Sequence, residues 1–322
     1  MWIEEYIKLM FPTNVNEMKM ERAMRLKYQN TPNRLFKYRA FNEYSVNNFK
    51  NNEIWFNAAD QFNDPYDCAL KINLNNFVKD TLKKYLDSSL QSILDKCDIE
   101  LSEDKISEFK KLEFKDALKF VLELDESLKG QDEKVDSFVN TVYQSIEEQN
   151  EEQLLRMNST SQARMLISCF SEVNNSILMW SHYANNHSGF CVEYNFKKEN
   201  VESLLTRTLQ PVIYTDEILD MSEYFGVGRE DKLNYNNLIS TYAAIVKSNE
   251  WAYEKEWRIS FPIGAEEGFS REIFPPEAIY LGTRMQDDYK QELIQIAQQK
   301  QISVYQMKMK TNEFKLITEQ IL

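Results

Sequence analysis

Two kinds of hydrophobic pattern share this chain of 322 residues, and the way one interrupts the other constrains the fold most. Short aromatic-rich runs, RLFKYRA from Arg34 and EIWFNAA from Glu53, read as strands around the helix-length polar segment FNEYSVNNFKNN. From about residue 74 to 160, Leu, Ile and Phe recur at three- and four-residue spacing among Glu, Lys and Gln. This predicts a helical insertion of four or so helices whose apolar stripes bury against one another. Strand signals resume at ARMLISCFSE. GFCVEYNF then alternates, with Phe190, Val192, Tyr194 and Phe196 on one face and Cys191, Glu193 and Asn195 on the other. LQPVIYTDE and EKEWRISF read as further strands, SILMWSHYA and YNNLISTYAAIVKSN as helices, and the tail from AIYLGTR to FKLITEQ completes an α+β body. The expected organisation is a helical segment over 1–33, a core domain from 34–73 and 161–322, and the insertion over 74–160.

Composition narrows the function classes. The formal charge of -13 opposes non-specific binding to a phosphate backbone. Glycine occurs seven times, first at Gly130, and neither GxGxxG nor GxxxxGK[ST] is present, which argues against a Rossmann or P-loop nucleotide site. Gly226 and Gly228 read as a loop pair. Glu4 and Glu5 stand where a secretory signal needs basic residues, and no apolar run reaches membrane-spanning length. The expectation is a cytoplasmic protein that does not enter membranes. Cys68, Cys97, Cys169 and Cys191 make no disulfide framework.

Rare residues gather in three blocks. Trp55, Trp180, Trp251 and Trp257 and both histidines, His182 and His187, fall at strand boundaries, which suggests a shared site or core. Glu256 and Arg258 lie two apart on one strand face, so a structural ion pair accounts for both as readily as a ligand does. Trp180, Tyr183 and His187 recur at helical spacing and equally read as core. Cys169 or Cys191 with His182 has the residue types of a nucleophilic pair. A zinc site lacks CxxC or HxxxH spacing.

The blocks LFKYRA with EIWFNAADQFNDPYD, ISCFSEVNNSILMWSHYANNHSGFCVEY, KSNEWAYEKEWRIS and AIYLGTR together resemble the bacterial domain-of-unknown-function family 2971. The resemblance spans roughly 34–73 and 164–318. More distantly, the layout is similar to the ADP-ribosyltransferase fold, which implies a mixed, partly split β-sheet core with the nicotinamide end of NAD between the split sheets. The first strand here reads KYR where that fold carries a His or Arg with a fixed neighbour.

That second resemblance implies an NAD-dependent ADP-ribosyltransferase-like enzyme, a toxin or phage-defence effector, with NAD as substrate and a protein or nucleic acid as acceptor. Glu256 would stabilise an oxocarbenium-like state, with Glu254, Tyr183 and His182 as further catalytic candidates. Lys37, Tyr38, Arg39, Trp55, Ser171, Trp180 and Arg258 are the candidates for holding the nucleotide, through guanidinium forks on pyrophosphate and aromatic faces on the bases. Two other readings use the same region. One is a regulatory module binding a nucleotide or peptide without turnover; the other is a nuclease-like effector with a divalent metal on Asp64, Asp67 and Glu256.

Overall fold

The computed structural model describes residues 2–225, 236–262 and 268–322. Gly226 and Gly228 lie outside them. The described residues of Met1–Leu70, Ser159–Leu219 and Asn234–Leu322 form one compact unit, and those of Lys71–Asn158 and Asp220–Leu233 form a second.

Ten strands build the sheet of the first unit: β1 (Leu35–Arg39), β2 (Glu53–Ala58), β3 (Leu166–Ser171), β4 (Phe190–Tyr194), β5 (Leu209–Pro211), β6 (Glu256–Phe261), β7 (Phe269–Glu272), β8 (Ala278–Leu281), β9 (Ser303–Met309) and β10 (Leu316–Gln320). Their order is β7-β2-β3-β1-β4-β8-β9-β10, with β6 pairing β3 and carrying β5 beyond it. The fold is α+β, with a mixed, open sheet: β8 and β9 run parallel, while β1 runs antiparallel to both β3 and β4.

Alternation assigns the faces. Leu35, Phe56, Leu166, Phe170, Trp257, Ile259 and the inward set of β4 (Phe190, Val192, Tyr194) share one core with Phe196. Phe36, Tyr38, Cys191 and Tyr280 pack on the other side, with Trp180 and Met179. Helices α1 (Trp2–Met10) and α2 (Met20–Asn30) belong to the same unit; Trp2 stacks on Trp257 with ring centroids 6.2 Å apart. Lys27 of α2 is buried and donates to the carbonyls of Thr206, Arg207 and Leu209 at 2.7–2.9 Å, holding carbonyls at a helix end. Between β1 and β2, α3 (Glu43–Asn51) starts with a capping box in which Asn42 accepts from the Ser45 amide and Ser45 Oγ from the Asn42 amide.

In the second unit, α4 (Leu74–Cys97), α5 (Glu103–Lys111) and α6 (Phe114–Glu123) bury Leu90, Leu94, Phe109 and Ala117 against one another, and most of α7 (Asp132–Arg164) belongs to it. Asp220–Phe225, read from sequence as part of the sheet domain, fall in this unit. Among the described residues no helix is long and apolar enough to cross a membrane.

Two elements differ from the sequence reading. LQPVIYTDE is two strands: Pro211 lacks an amide proton, the ladder with β6 ends there, and Ile213–Thr215 pairs elsewhere. YNNLISTYAAIVKSN is helical only over Ile239–Ala243 within its described residues. Its β-branched Val246 opens a strand, Val246–Ser248, parallel to Ile213–Thr215.

Candidate functional site

The sheet splits at β3. One edge of that strand pairs with β6 along its whole length, from Glu256 opposite Ser171 to Phe261 opposite Leu166. On the other edge β2 reaches only Leu166 and Ile167, and β1 reaches only Ser171. Ser168 to Phe170 therefore face a gap between β1 and β2. Lys37 fills part of it: its Nζ donates to Ser168 Oγ at 2.7 Å and to the Cys169 carbonyl at 2.9 Å, and lies 4.8 Å from the centre of the Phe170 ring. A cleft of about 340 Å³ opens here, walled by Phe36 to Arg39, Asn57 and Ile167 to Ser171.

The cleft floor carries charge. Glu256 opens β6, and its Oε1 accepts from Arg258 Nε at 2.8 Å. Its Oε2 accepts from Arg258 Nη2 at 3.0 Å and from Lys247 Nζ at 3.1 Å. Arg258 also holds Asp67 through both guanidinium ends and donates to the Ala244 carbonyl at 2.8 Å. Lys247 donates again to Glu254 Oε2 at 2.7 Å, and the Tyr183 hydroxyl donates to Glu254 Oε1 at 2.6 Å. Burial alone would raise Glu256, but Arg258 and then Lys247 outweigh it and bring the carboxyl to about 2. Glu254 moves upward, through burial and then the charge of Glu256, against the pull of Lys247. The two carboxylates of YEKEWR thus differ: one is firmly ionised, the other takes a proton more readily.

Glu256 is both the ion-pair partner of Arg258 and a lining residue of the cleft. Arg258 is not a lining residue. It is fully buried, with Asp67, Glu256 and a carbonyl taking its donors, so the sequence assignment of Arg258 to the nucleotide is corrected to an internal counter-ion. Its guanidinium stands between Asp67 and Glu256, where the nuclease reading needs a divalent cation. Among the described residues no group of three or more His, Cys, Asp or Glu side chains is placed to hold a metal.

Helix α8 (Ile177–Tyr183) brings Met179, His182 and Tyr183 to the cleft. His182 is exposed and meets Tyr183 edge-on, with ring centroids 6.2 Å apart. Trp180 points the other way; it is fully buried, packs edge-on against Tyr38, and donates its indole N–H to the Asn174 carbonyl at 2.7 Å. Its assignment to the nucleotide is likewise corrected to the core. Asn185, Asn186 and His187 follow, all with positive φ. This left-handed run turns the chain into β4, and His187 is part of the turn: its carbonyl accepts from the Arg284 amide at 2.9 Å and its Nε2 meets Ser181 Oγ at 3.1 Å. His187 stacks on Trp180 and does not line the cleft. The two histidines therefore have separate tasks, one at the cleft and one in the turn behind it.

Ser171 lines the cleft, but its hydroxyl donates to the Glu254 carbonyl at 2.5 Å and so braces the carboxylate's backbone. Tyr38 donates to the Val173 carbonyl at 2.7 Å. Cys169 is also at the cleft, where burial and then Glu256 push its thiol pKa up, the opposite of an activated nucleophile. Cys191 is buried in the core behind β4.

Arg39 is the exception to this pairing. Among the described residues no hydrogen bond or ion pair to its guanidinium occurs, and its Nη2 is buried without a partner there. It sits where the cleft meets an adjoining groove of about 660 Å³; Tyr38, Arg39, Trp55 and Tyr183 line both. Trp55 is 40% exposed and Tyr44, in the groove, 82%. An unpaired cation between aromatic faces is suited to an anionic group on a ligand with flat rings.

Two site residues are not evident from the sequence: Lys247, which falls in a run that reads as helix, and Asn63, whose Nδ2 donates to the Tyr183 hydroxyl at 3.3 Å. The NDP turn after β2 was the available signal for Asn63.

No curated protein and no solved structure matches the chain. Residues 179–259, from Met179 of α8 to Ile259 of β6, match the model of the family described as protein of unknown function (DUF2971), which supports the family resemblance that the motifs carry.

Proposed function

We propose that this chain is an NAD-dependent ADP-ribosyltransferase-like enzyme acting at the split in its sheet, as an effector that modifies a protein or nucleic acid. The observation that carries this reading is Arg39, a guanidinium without a partner among the described residues, between two aromatic-walled cavities, with two carboxylates on the floor of one. A dinucleotide has the matching parts: two flat rings joined through a pyrophosphate. Arg39 takes the pyrophosphate, and Trp55 and Tyr183 present faces to the rings.

In the reaction the bond between ribose C1′ and the nicotinamide nitrogen breaks, and its electron pair leaves with nicotinamide. Positive charge spreads over C1′ and the ring oxygen. Glu256, ionised and fixed by Arg258 and Lys247, supplies a preorganised negative charge and a hydroxyl acceptor. Glu254 takes the proton of the attacking acceptor, a role its raised pKa suits.

A second reading, nucleotide binding without turnover, is favoured by one fact: both oxygens of Glu256 already accept from cations, which compensates the charge that the transition state needs. One experiment separates the two. Wild type, Glu256→Gln and Glu254→Gln, each checked for fold by near-UV circular dichroism, are incubated with labelled NAD and cell lysate. Free nicotinamide and transferred label from wild type, lost in folded variants, support the enzyme. NAD bound but intact after long incubation supports the binding module, and neither binding nor turnover sinks both.

A further inference from the structure

Lys37 has chemistry that the NAD reaction leaves unused. It stands two residues before Arg39 on β1, on the same strand face, and lines the cleft floor at the gap in the sheet. Its Nζ makes two donations, to Ser168 Oγ and the Cys169 carbonyl, and among the described residues no carboxylate comes within ion-pair distance of it. Lys247, in the same cleft, is the contrast, since it holds two carboxylates. An ammonium carries three donors, whereas a neutral amine carries two and a lone pair. Two acceptors and no counter-ion among the described residues fit the amine.

The electrostatics agree. Burial, then the charge of Arg39, hold the Lys37 pKa well below that of an ordinary lysine, against the weaker pull of Cys169 and Glu256. At pH 7 only on the order of one in a thousand or fewer ordinary lysine side chains is neutral.

We propose that Lys37 is a nucleophilic amine that takes a phosphorylated aldehyde or ketone as a Schiff base, with Arg39 holding the phosphate. The Nζ lone pair attacks the carbonyl carbon; a C–N bond forms as the π pair moves to oxygen. Proton transfer from nitrogen to oxygen gives the carbinolamine. That oxygen then leaves as water, carrying a second proton that originates on nitrogen, and C=N remains. One water is released and nothing is oxidised or reduced. Glu254 is the cleft carboxyl suited to relay these protons. The inference stands independently of NAD, because it needs neither Glu256 nor a nicotinamide.

The test uses the full chain at neutral pH with glyceraldehyde 3-phosphate or, in parallel, glyceraldehyde, followed by borohydride and peptide mass mapping. Lys37 should carry the reduced adduct at least ~10-fold ahead of surface lysines such as Lys308, given its larger neutral fraction. Arg39→Gln should cut labelling by the phosphorylated compound ~10-fold more than labelling by the neutral one, the size of a charged hydrogen bond. Lys37→Arg should abolish the adduct while the near-UV spectrum stays native. Label spread evenly over exposed lysines, or none on Lys37 in folded wild type, overturns the proposal. Either result is read without NAD, so it is separable from the outcome of the nicotinamide assay.

Discussion

The hydroxyl of Tyr183 donates to one oxygen of Glu254 at 2.6 Å while Lys247 holds the other at 2.7 Å. A short helix and the turn before β6 are thus tied through one buried carboxylate. Tyr183→Phe keeps the ring but leaves that oxygen without its donor, so a loss of about 1–3 kcal/mol is expected in urea unfolding at pH 7. A change below half a kcal/mol would show that water replaces the phenol at no cost.

Acid unfolding should report Glu256. Its folded pKa, about 2, lies below the unfolded value of about 4.3, so its contribution is present above pH 4.3 and is lost as pH falls toward 2. Glu256→Gln takes one of two carboxylates from each of Arg258 and Lys247, which keep Asp67 and Glu254, and should therefore cost about 3 kcal/mol at pH 7 by linkage, with the gap to wild type closing between pH 4.3 and 2. Asp67 and Glu254 are shifted upward by burial and also by the charge of Glu256 itself, so the substitution relieves both and narrows the gap at pH 7. Urea midpoints of the two proteins across that range are the measurement. A gap that stays constant down to pH 2 contradicts the assignment.

Much of the sheet was legible because β1, β4 and β6 alternate so regularly that each face follows from the letters; Phe190, Val192 and Tyr194 fall in one core as the pattern requires. Glu256, Tyr183, His182 and Arg39 were legible as a group because rare and charged residues clustered at strand ends, and the cleft brings them together. What the letters did not reveal is which of two aromatic residues three apart on one helix faces inward. Trp180 and Tyr183 share a helix of two turns, yet Trp180 is core and Tyr183 is cleft. Lys247 was hidden differently. It follows an Ala-rich helical run, and only the pairing of Val246–Ser248 with Ile213–Thr215, a tertiary event, places it beside Glu254.

Arg39 should trade stability for binding. Its Nη2 is buried with no partner among the described residues, which costs free energy in the unliganded protein. Arg39→Gln should leave urea stability unchanged or raise it, while affinity for NAD or an anionic nucleotide falls about 10- to 100-fold, the worth of a charged hydrogen bond. Calorimetric titration beside unfolding checks both. A destabilised variant would mean that Arg39 has a structural partner in the folded chain.

Gly189 supplies the converse case. The residue ends the left-handed turn after α8, donates to the Ala184 carbonyl at 2.8 Å, and accepts at its own carbonyl from the Gly282 amide at 2.9 Å. A Cβ placed on it would lie 2.1 Å from the carbonyl oxygen of Arg39 and 3.0 Å from that of Ala184. Both are backbone atoms, so no rotamer relieves the clash. Arg39 pairs with Phe190, the next residue, so the relief must come from parting β1 and β4 at the end where the guanidinium is mounted. Gly189→Ala should cost about 1–3 kcal/mol or more by overpacking and weaken anion binding with it. The two variants then distinguish a side chain from its mount: Arg39→Gln loses the ligand with stability intact, and Gly189→Ala loses both. If Gly189→Ala keeps wild-type stability and affinity, β1 is not fixed by this contact, and the position of Arg39 is set from the β3 side of the strand instead.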